Sequence, residues 1–312
     1  MLALFITIAR LAVLSDRMEH PLLQAAAAKA PAPAPAAAAA PAPAATDEEK
    51  RERKKRRRET GPRPVSSDVS LGNHQRYYGY RPRVQGAEPR RADARLRFLD
   101  ATWWNNKKAK DVGCNDGTFS LEIARRFEPR MLLGVDADAG LIRAATALVA
   151  RRAREVDPDA LLAKTEVKQG VARKGPLPFP HNCFFENEDV TTGGGDHSFD
   201  VISAFSVTKW IHLNHGDEGL LKFFRGVHDS LRPGGRFVFE PQQWKSYQNR
   251  RRASEQIKAT FKSITVKPAD FPRVLVDDVG FESCELLGTP DDEALPEGFR
   301  RPIYCAVKGP GA

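Results

Sequence analysis

Cysteine is scarce and scattered. Only Cys114, Cys183, Cys284 and Cys305 occur, and no two sit at the close spacing of a zinc site. Nothing in that spacing supplies a disulfide framework, so reduced thiols in an intracellular protein are the economical reading. Long apolar runs are scarce too. The stretch Met1 to Ser15 is largely apolar, but it carries Arg10, is too short to span a bilayer and has no cationic region ahead of it. A targeting role for it stays open, with Met18 as an alternative start. No other stretch reads as a transmembrane helix, so a membrane is not an expected partner. Acidic charge is in deficit, leaving a net charge of +9. Such an excess points to an acidic partner, most often nucleic acid, against the plainer reading of solubility.

Where the charge lies matters more than its sum. Ala25 to Ala45 is almost entirely Ala and Pro, which interrupts helix and cannot build a core. Lys50-Arg51-Glu52-Arg53-Lys54-Lys55-Arg56-Arg57-Arg58 follows. That run reads as a nuclear import signal, an RNA-binding arm or a solvated charge run. Residues 1–69 are therefore expected to be a disordered extension. From Ser70 to Lys308 the pattern turns globular, at a length suited to one large domain.

Within that domain, apolar runs alternate with amphipathic stretches. Strands are expected at Met131 to Val135, Phe199 to Phe205 and Arg236 to Glu240. Helices are expected at Ala139 to Arg154 and Glu218 to Leu231, the second closed by Arg232-Pro233-Gly234-Gly235. Phe281 to Leu287 and Ile303 to Lys308 read as a closing pair of strands. The alternation predicts an α/β, doubly wound, mostly parallel sheet with helices on both faces. The polar, proline-containing stretch 157–180 reads as an inserted loop.

A glycine-rich turn, Asp111-Val112-Gly113-Cys114-Asn115-Asp116-Gly117, opens into the amphipathic run from Thr118. Gly113 and Gly117 allow a tight bend and close approach of a ligand to helix N-terminal amides. Alone the turn is a weak signal, since a nucleotide-binding dehydrogenase shares it. The next strand ends in Asp136, nineteen residues after Gly117, where a carboxylate can accept from both ribose hydroxyls. The turn is shorter than the dinucleotide pattern and contains Cys-Asn-Asp, which leans toward S-adenosylmethionine rather than NAD.

Two longer blocks are more specific. One is Gly72-Asn73-His74-Gln75-Arg76-Tyr77-Tyr78-Gly79-Tyr80-Arg81, followed by Ala94-Arg95-Leu96-Arg97. The other runs from Ser206-Val207-Thr208-Lys209-Trp210-Ile211-His212 to Leu220, followed by Glu240-Pro241-Gln242-Gln243-Trp244. With Gly298-Phe299-Arg300-Arg301-Pro302 near the end, these blocks resemble the bicoid-interacting-protein family of RNA methyltransferases. The resemblance covers the whole domain. It implies a class I S-adenosylmethionine-dependent methyltransferase that caps the 5′-terminal phosphate of a small noncoding RNA. One branch of the family acts on the γ-phosphate of a triphosphate end and another on a monophosphate end. The Tyr-Tyr-Gly-Tyr-Arg block and the C-terminal part look more like the triphosphate branch. The basic run 50–58 points to a nuclear protein, and RNA-associated proteins are candidate further partners.

Position by position, the resemblance implies cofactor contacts from Tyr77, Arg95, Gly113, Cys114, Asn115, Asp136, Ala137, Glu188, Asp189 and Phe205. Arg95 is expected to pair the methionine carboxylate. Glu188 and Asp189 stand where the family carries a polar-aromatic pair, so this chain departs from the pattern there. A terminal phosphate is already anionic near neutral pH, so the chemistry needs no metal and no general base. It needs a cationic grip that aims one oxygen at the methyl group. Arg81 offers a bidentate fork and Lys209 a point charge just past a strand end. Tyr78, with Tyr77, can donate a hydrogen bond or stack on the first base. Alone, a lysine after a strand is usually solvated and a tyrosine pair is usually core. His212 and His215 have metal-pair spacing but no third ligand, which favours structural roles. Trp210 reads as packing. Trp244, Lys245, Tyr247, Arg250, Arg251 and Arg252 form either a track for RNA or a solvated helix face.

One segment breaks the pattern. The strand before the glycine turn should be apolar, yet it reads Asn105-Asn106-Lys107-Lys108-Ala109-Lys110. Unpaired buried lysines cost several kcal/mol. Either the strand is short with its lysines reaching solvent, or residues are missing and cofactor binding suffers. Two other readings therefore stand beside the leading one. One is a catalytically impaired RNA-binding scaffold of the same fold. The other is a methyltransferase acting on a protein or small molecule.

Overall fold

The computed structural model describes residues 93–156, 177–191, 198–291 and 295–311. The extension 1–69, the block holding Tyr77, Tyr78 and Arg81, and most of the insertion at 157–180 lie outside the described residues.

Seven strands form one sheet: β1 Lys108–Val112, β2 Met131–Asp136, β3 Cys183–Asn187, β4 Phe199–Phe205, β5 Leu231–Glu240, β6 Ser283–Gly288 and β7 Ile303–Val307. Their spatial order is β3-β2-β1-β4-β5-β7-β6. The first five run parallel, and β7 joins β5 and β6 antiparallel. The order reverses at β1, so the connections that leave β1 and β4 pass to opposite faces of the sheet and open a crevice at the strands' C-terminal ends, the usual ligand edge of such a sheet.

Strand alternation sends successive side chains to opposite faces. Val135, Ile202, Ala204, Phe237 and Phe239 enter one apolar core, while Leu132, Val201, Phe205 and Val238 enter the other. Helix α1, Thr118–Phe127, and the partly buried Leu148 and Val149 of α2, Ala139–Val156, cover the second core. Helix α3, Thr208–Ser230, covers the first with Ile211, Leu220, Phe223, Phe224 and Val227. Two further helices, α4 Trp244–Arg250 and α5 Glu255–Ser263, are tied to α3 through Leu213, Tyr247 and Ile257, all fully buried.

Two boundaries differ from expectation. The helix expected from Glu218 begins at Thr208 and turns at Gly216, whose φ of 67° and ψ of −168° break the helical path. Apolar residues before and after Gly216 face the same core, so packing continues across the break. The Arg232–Gly235 turn is absorbed into β5 as an irregularity. Phe199 pairs Leu231, but Val201 already pairs Arg236. Lys308 closes this turn by donating from its amide to the Gly235 carbonyl and accepting from the Gly234 amide, both at 2.9 Å.

The lysine-rich strand forms. β1 is short, pairs β2 along its five residues, and buries Ala109, Asp111 and Val112. Lys108 and Lys110 lie on the face opposite Ala109 and Asp111, half-buried, and share it with Val112. The Lys110 ammonium donates to both carboxylate oxygens of Glu188, at 2.8 and 2.9 Å. Lys108 reaches the Ser198 hydroxyl and lies 4.5 Å from the Phe199 ring centroid. The strand is thus short, as one of the two readings held, and its lysines have partners.

Candidate active site

A cavity of about 440 Å³ opens at the C-terminal ends of β1, β2 and β4. One end is the glycine turn. The Gly113 and Cys114 amides both donate to the Val135 carbonyl, at 2.8 and 3.0 Å, folding the turn over the end of β2. Gly113 takes φ +71°, and a Cβ there would stand 2.6 Å from Val207 Cγ2. Asn115 is left-handed as well, with φ 54°. Only a small or locally hydrogen-bonding residue tolerates these angles, which explains the residue types in the turn.

Asp136 ends β2 at the cavity wall. Its Oδ2 accepts from the Asn115 amide and its Oδ1 from the Asp138 amide, both at 3.0 Å. Burial raises its pKa, opposed by these two amides. Each oxygen retains a lone pair for a ligand hydroxyl. Asp111, near the end of β1, is sealed beneath by Ser120 and Ser203, whose hydroxyls donate at 2.6 and 2.7 Å.

The other end is cationic and comes from distant segments. β4 runs into Ser206, which takes φ 63°, and α3 starts immediately after it. β5 pins that bend. The Ser206 amide donates to the Glu240 carbonyl at 3.2 Å and its hydroxyl to Glu240 Oε2 at 2.6 Å. Gln242 donates to the Ser206 carbonyl and accepts from the Lys209 amide at 3.2 Å. Arg301, from beyond β6, donates to the Ser206 hydroxyl at 2.9 Å and stands 3.9 Å from Glu240. The fully buried Glu240 thus holds the wall together.

Lys209 is 6% exposed. Its Nζ donates to Ser246 Oγ of α4 at 3.0 Å and lies 4.4 Å from the Trp210 ring centroid. Burial, then the nearby charges of Arg301 and Arg250, brings its pKa down to about 7. Among the described residues no carboxylate forms an ion pair with it.

Of the residues singled out in the sequence, Gly113, Asn115, Asp136, Ala137, Glu188, Asp189, Phe205 and Lys209 line this cavity together. Cys114 and Arg95 do not line it. The Cys114 thiol is buried behind the turn, with its pKa raised by burial. Arg95 is fully buried, forked onto Asp93 by two bonds of 2.9 Å and 3.6 Å from Glu240. Its guanidinium lies 3.8 Å from the Phe119 ring centroid and 5.1 Å from that of Phe205, so it backs the wall. Glu188 lines the cavity, but its carboxylate is drawn to Lys110.

His212 bonds Asp217 at 2.7 Å and approaches the Tyr247 hydroxyl at 3.4 Å, while Asp217 also accepts from the Thr265 amide at 2.8 Å. This is a brace between α3 and the segment after α5. Trp210 is buried as packing and also faces the cavity. The basic-aromatic cluster divides. Tyr247 is core, Trp244 stacks on Tyr247 and Phe261, Arg250 lines the cavity, and Lys245, Arg251 and Arg252 are exposed and do not line it. Sequence reading assigned no role to Arg301, Gln242 or Ser246. Arg301 lay inside a quoted block, which was the available signal; Ser246 carried none.

Two family descriptions match the chain: "Bicoid-interacting protein 3 (Bin3)" over residues 199–308 and "Methyltransferase domain" over residues 111–237. The U6 snRNA methylphosphate capping enzyme of Drosophila melanogaster is 36% identical, covering 77% of this chain and 75% of that protein. The human 7SK snRNA methylphosphate capping enzyme is 34% identical over 76% of this chain, which spans 39% of that longer protein. A rat RNA 5′-monophosphate methyltransferase is 30% identical over 59% of this chain and 66% of its own length.

Proposed function

This chain belongs to the bicoid-interacting protein 3 family, and from that premise we propose that it transfers a methyl group from S-adenosylmethionine to the 5′-terminal phosphate of a small noncoding RNA. The observation that carries the reading is a single cavity with two unlike ends. One offers a glycine turn and a ribose-accepting carboxylate, the other buried and half-buried cations. Its volume of about 440 Å³ lies in the usual range for a small-molecule site.

S-adenosylmethionine suits the glycine-turn end. Gly113 and Asn115 present main chain close to the ligand, Asp136 accepts from ribose hydroxyls, and Ala137, Glu188 and Asp189 flank the base. Phe205 lies along the methionine side, with Arg95 behind it. When bound, the cofactor supplies an electrophilic methyl group. The protein's part is placement. Lys209 at the start of α3, with Arg81 and Tyr78 from the N-terminal block, grips the phosphate and aims one anionic oxygen at the methyl carbon. Such positioning supplies on the order of several kcal/mol of the barrier. Tyr77 completes the methionine side.

The γ-phosphate of a triphosphate end is the finer proposal. The methylphosphate capping enzymes match more of this chain, and more closely, than the monophosphate methyltransferase does. Nuclear action rests on the basic run from Lys50 to Arg58 and on the snRNA substrates in those relatives' names. The scaffold reading drew on the lysine-rich strand and the basic arm, and a paired β1 speaks against the first of these.

The test is methylation of one RNA carrying a triphosphate, a monophosphate or a dephosphorylated end, using purified protein and labelled S-adenosylmethionine. Label should enter the triphosphate RNA most and the dephosphorylated RNA not at all. Folded protein that labels none of the three overturns the proposal.

A further inference from the structure

We infer that Lys209, Arg301 and Arg250 form one anion subsite that takes in a terminal phosphate together with a proton, and that the proton comes to rest on Lys209. The inference rests on the proposed phosphate substrate and adds how that substrate is told apart from other RNA ends.

The geometry comes first. The three side chains line one end of the cavity, in order of increasing exposure from Lys209 through Arg301 to Arg250. They come from three segments: the first turn of α3, the last turn of α4 and the stretch before β7. On α4, Ser246, Asn249 and Arg250 share one face at helical spacing, and all line the cavity. Opposite charge is short. Glu240 is 3.9 Å from Arg301 but also 3.6 Å from Arg95 and bonded by Ser206. Arg250 forms no ion pair among the described residues, and neither does Lys209. The other charged or titratable groups on the wall are His215 on α3 and, beyond the start of α3, Asp136, Glu188 and Asp189 at the ends of β2 and β3. None of these acidic groups offsets the lowering of the Lys209 pKa to about 7, which burial, Arg301 and Arg250 bring about.

Two fixed cations and one titrating amine make a selective receptor. Arginine stays charged, so Arg301 and Arg250 attract an anion at any working pH. The lysine amine, held near neutrality by burial and those same arginines, gains a proton when a phosphate carrying two negative charges cancels their field. The proton is drawn from solvent, or from the phosphate itself when that is singly ionised, since its second pKa is about 6. A hydroxyl end offers no such field and leaves the amine neutral. Methyl transfer makes one O–C bond at the phosphate while the methyl–sulfur bond of S-adenosylmethionine breaks and its electron pair stays on sulfur, leaving S-adenosylhomocysteine. The phosphate loses one negative charge, so the capped end holds the proton less firmly. Substrate is thereby favoured over product at the same subsite.

The test is calorimetric binding of a short 5′-triphosphate RNA to the full chain at about pH 8, in buffers of different ionisation heat. There the phosphate is fully ionised, so any proton taken up goes to the protein. The wild type should take up a substantial fraction of one proton per RNA bound. Lys209→Arg, which keeps the charge and gives up the titration, should bind with almost none. Arg250→Gln, at an exposed position, should bind with less uptake, because the free amine is then already more protonated. Binding without uptake by the wild type overturns the inference and leaves the substrate reading standing. Equal uptake by Lys209→Arg overturns it too, by sending the proton elsewhere. Failure of the wild type to bind the RNA overturns both.

Discussion

The two ends of the cavity are built on different principles. The glycine-turn end runs from Gly113 to Ala137 and is held by bonds from main-chain amides, with Val135 and Asp136 accepting from Gly113, Cys114 and Asn115. The cationic end gathers Ser206, Lys209, Ser246, Arg250 and Arg301, and its brace is a buried side chain, Glu240. The first kind of site spreads its support over several main-chain amides. The second concentrates support on one carboxylate, so a single substitution should undo it.

The sharpest way to break that comparison is Glu240→Ala. It removes the acceptor of Ser206 and leaves Arg301 and Arg95 without their shared buried counter-charge. A loss of about 3–5 kcal/mol of stability in urea unfolding is expected. A loss near that of an ordinary surface change would mean the cationic end has other support. Gly113→Ala strikes the opposite end and should cost less, about 1–3 kcal/mol, because φ is positive and the new methyl meets Val207. It should also weaken binding of S-adenosylhomocysteine, measured by calorimetry, whereas Glu240→Ala should chiefly weaken RNA.

A pH experiment separates α3 from the turn. His212 and His228 both have pKa values lowered from 6.5, in each case first by burial. The folded chain then binds fewer protons than the unfolded chain just below that value, so stability falls as pH drops through 6.5. The fall should level off once the pH is below the folded values. Urea midpoints between about pH 5 and pH 8 should show this slope, and His212→Gln should make it shallower. The smallest effect belongs to the lysine of β1. Lys110→Met with Glu188→Gln removes both charges of the bridge, and stability should change by less than about 1 kcal/mol. Lys110→Met alone leaves Glu188 uncompensated at the cavity wall and should cost more than the double change, as measured by the same unfolding curves.

Legibility in the sequence followed the same division. Phe199–Phe205 was readable to the residue as a strand because an apolar run buried on both faces has few alternatives. The glycine turn was readable because left-handed angles restrict residue choice locally, and Asp136 because it closes an apolar strand at a fixed distance after that turn. The start of the long helix at Thr208 was not. The break at Gly216 interrupts the helical period, and only the core shared by Ile211 on one side and Leu220 on the other shows that the two pieces form one packed unit. Arg95 was assigned to a ligand, and the structure sets it behind Phe205, in contact with Asp93 and close to Glu240.

The sequence by itself determined the sheet, the glycine turn and the family, since these depend on hydrophobic period, glycine angles and long ordered blocks. Only the tertiary structure decided that Lys110 and Glu188 make a pair, that Ser206 is pinned by Glu240, and that Arg301 and Arg250 come to Lys209. Those contacts join residues far apart in the chain. Their energies depend on distance and burial, which exist only once the chain has closed on itself.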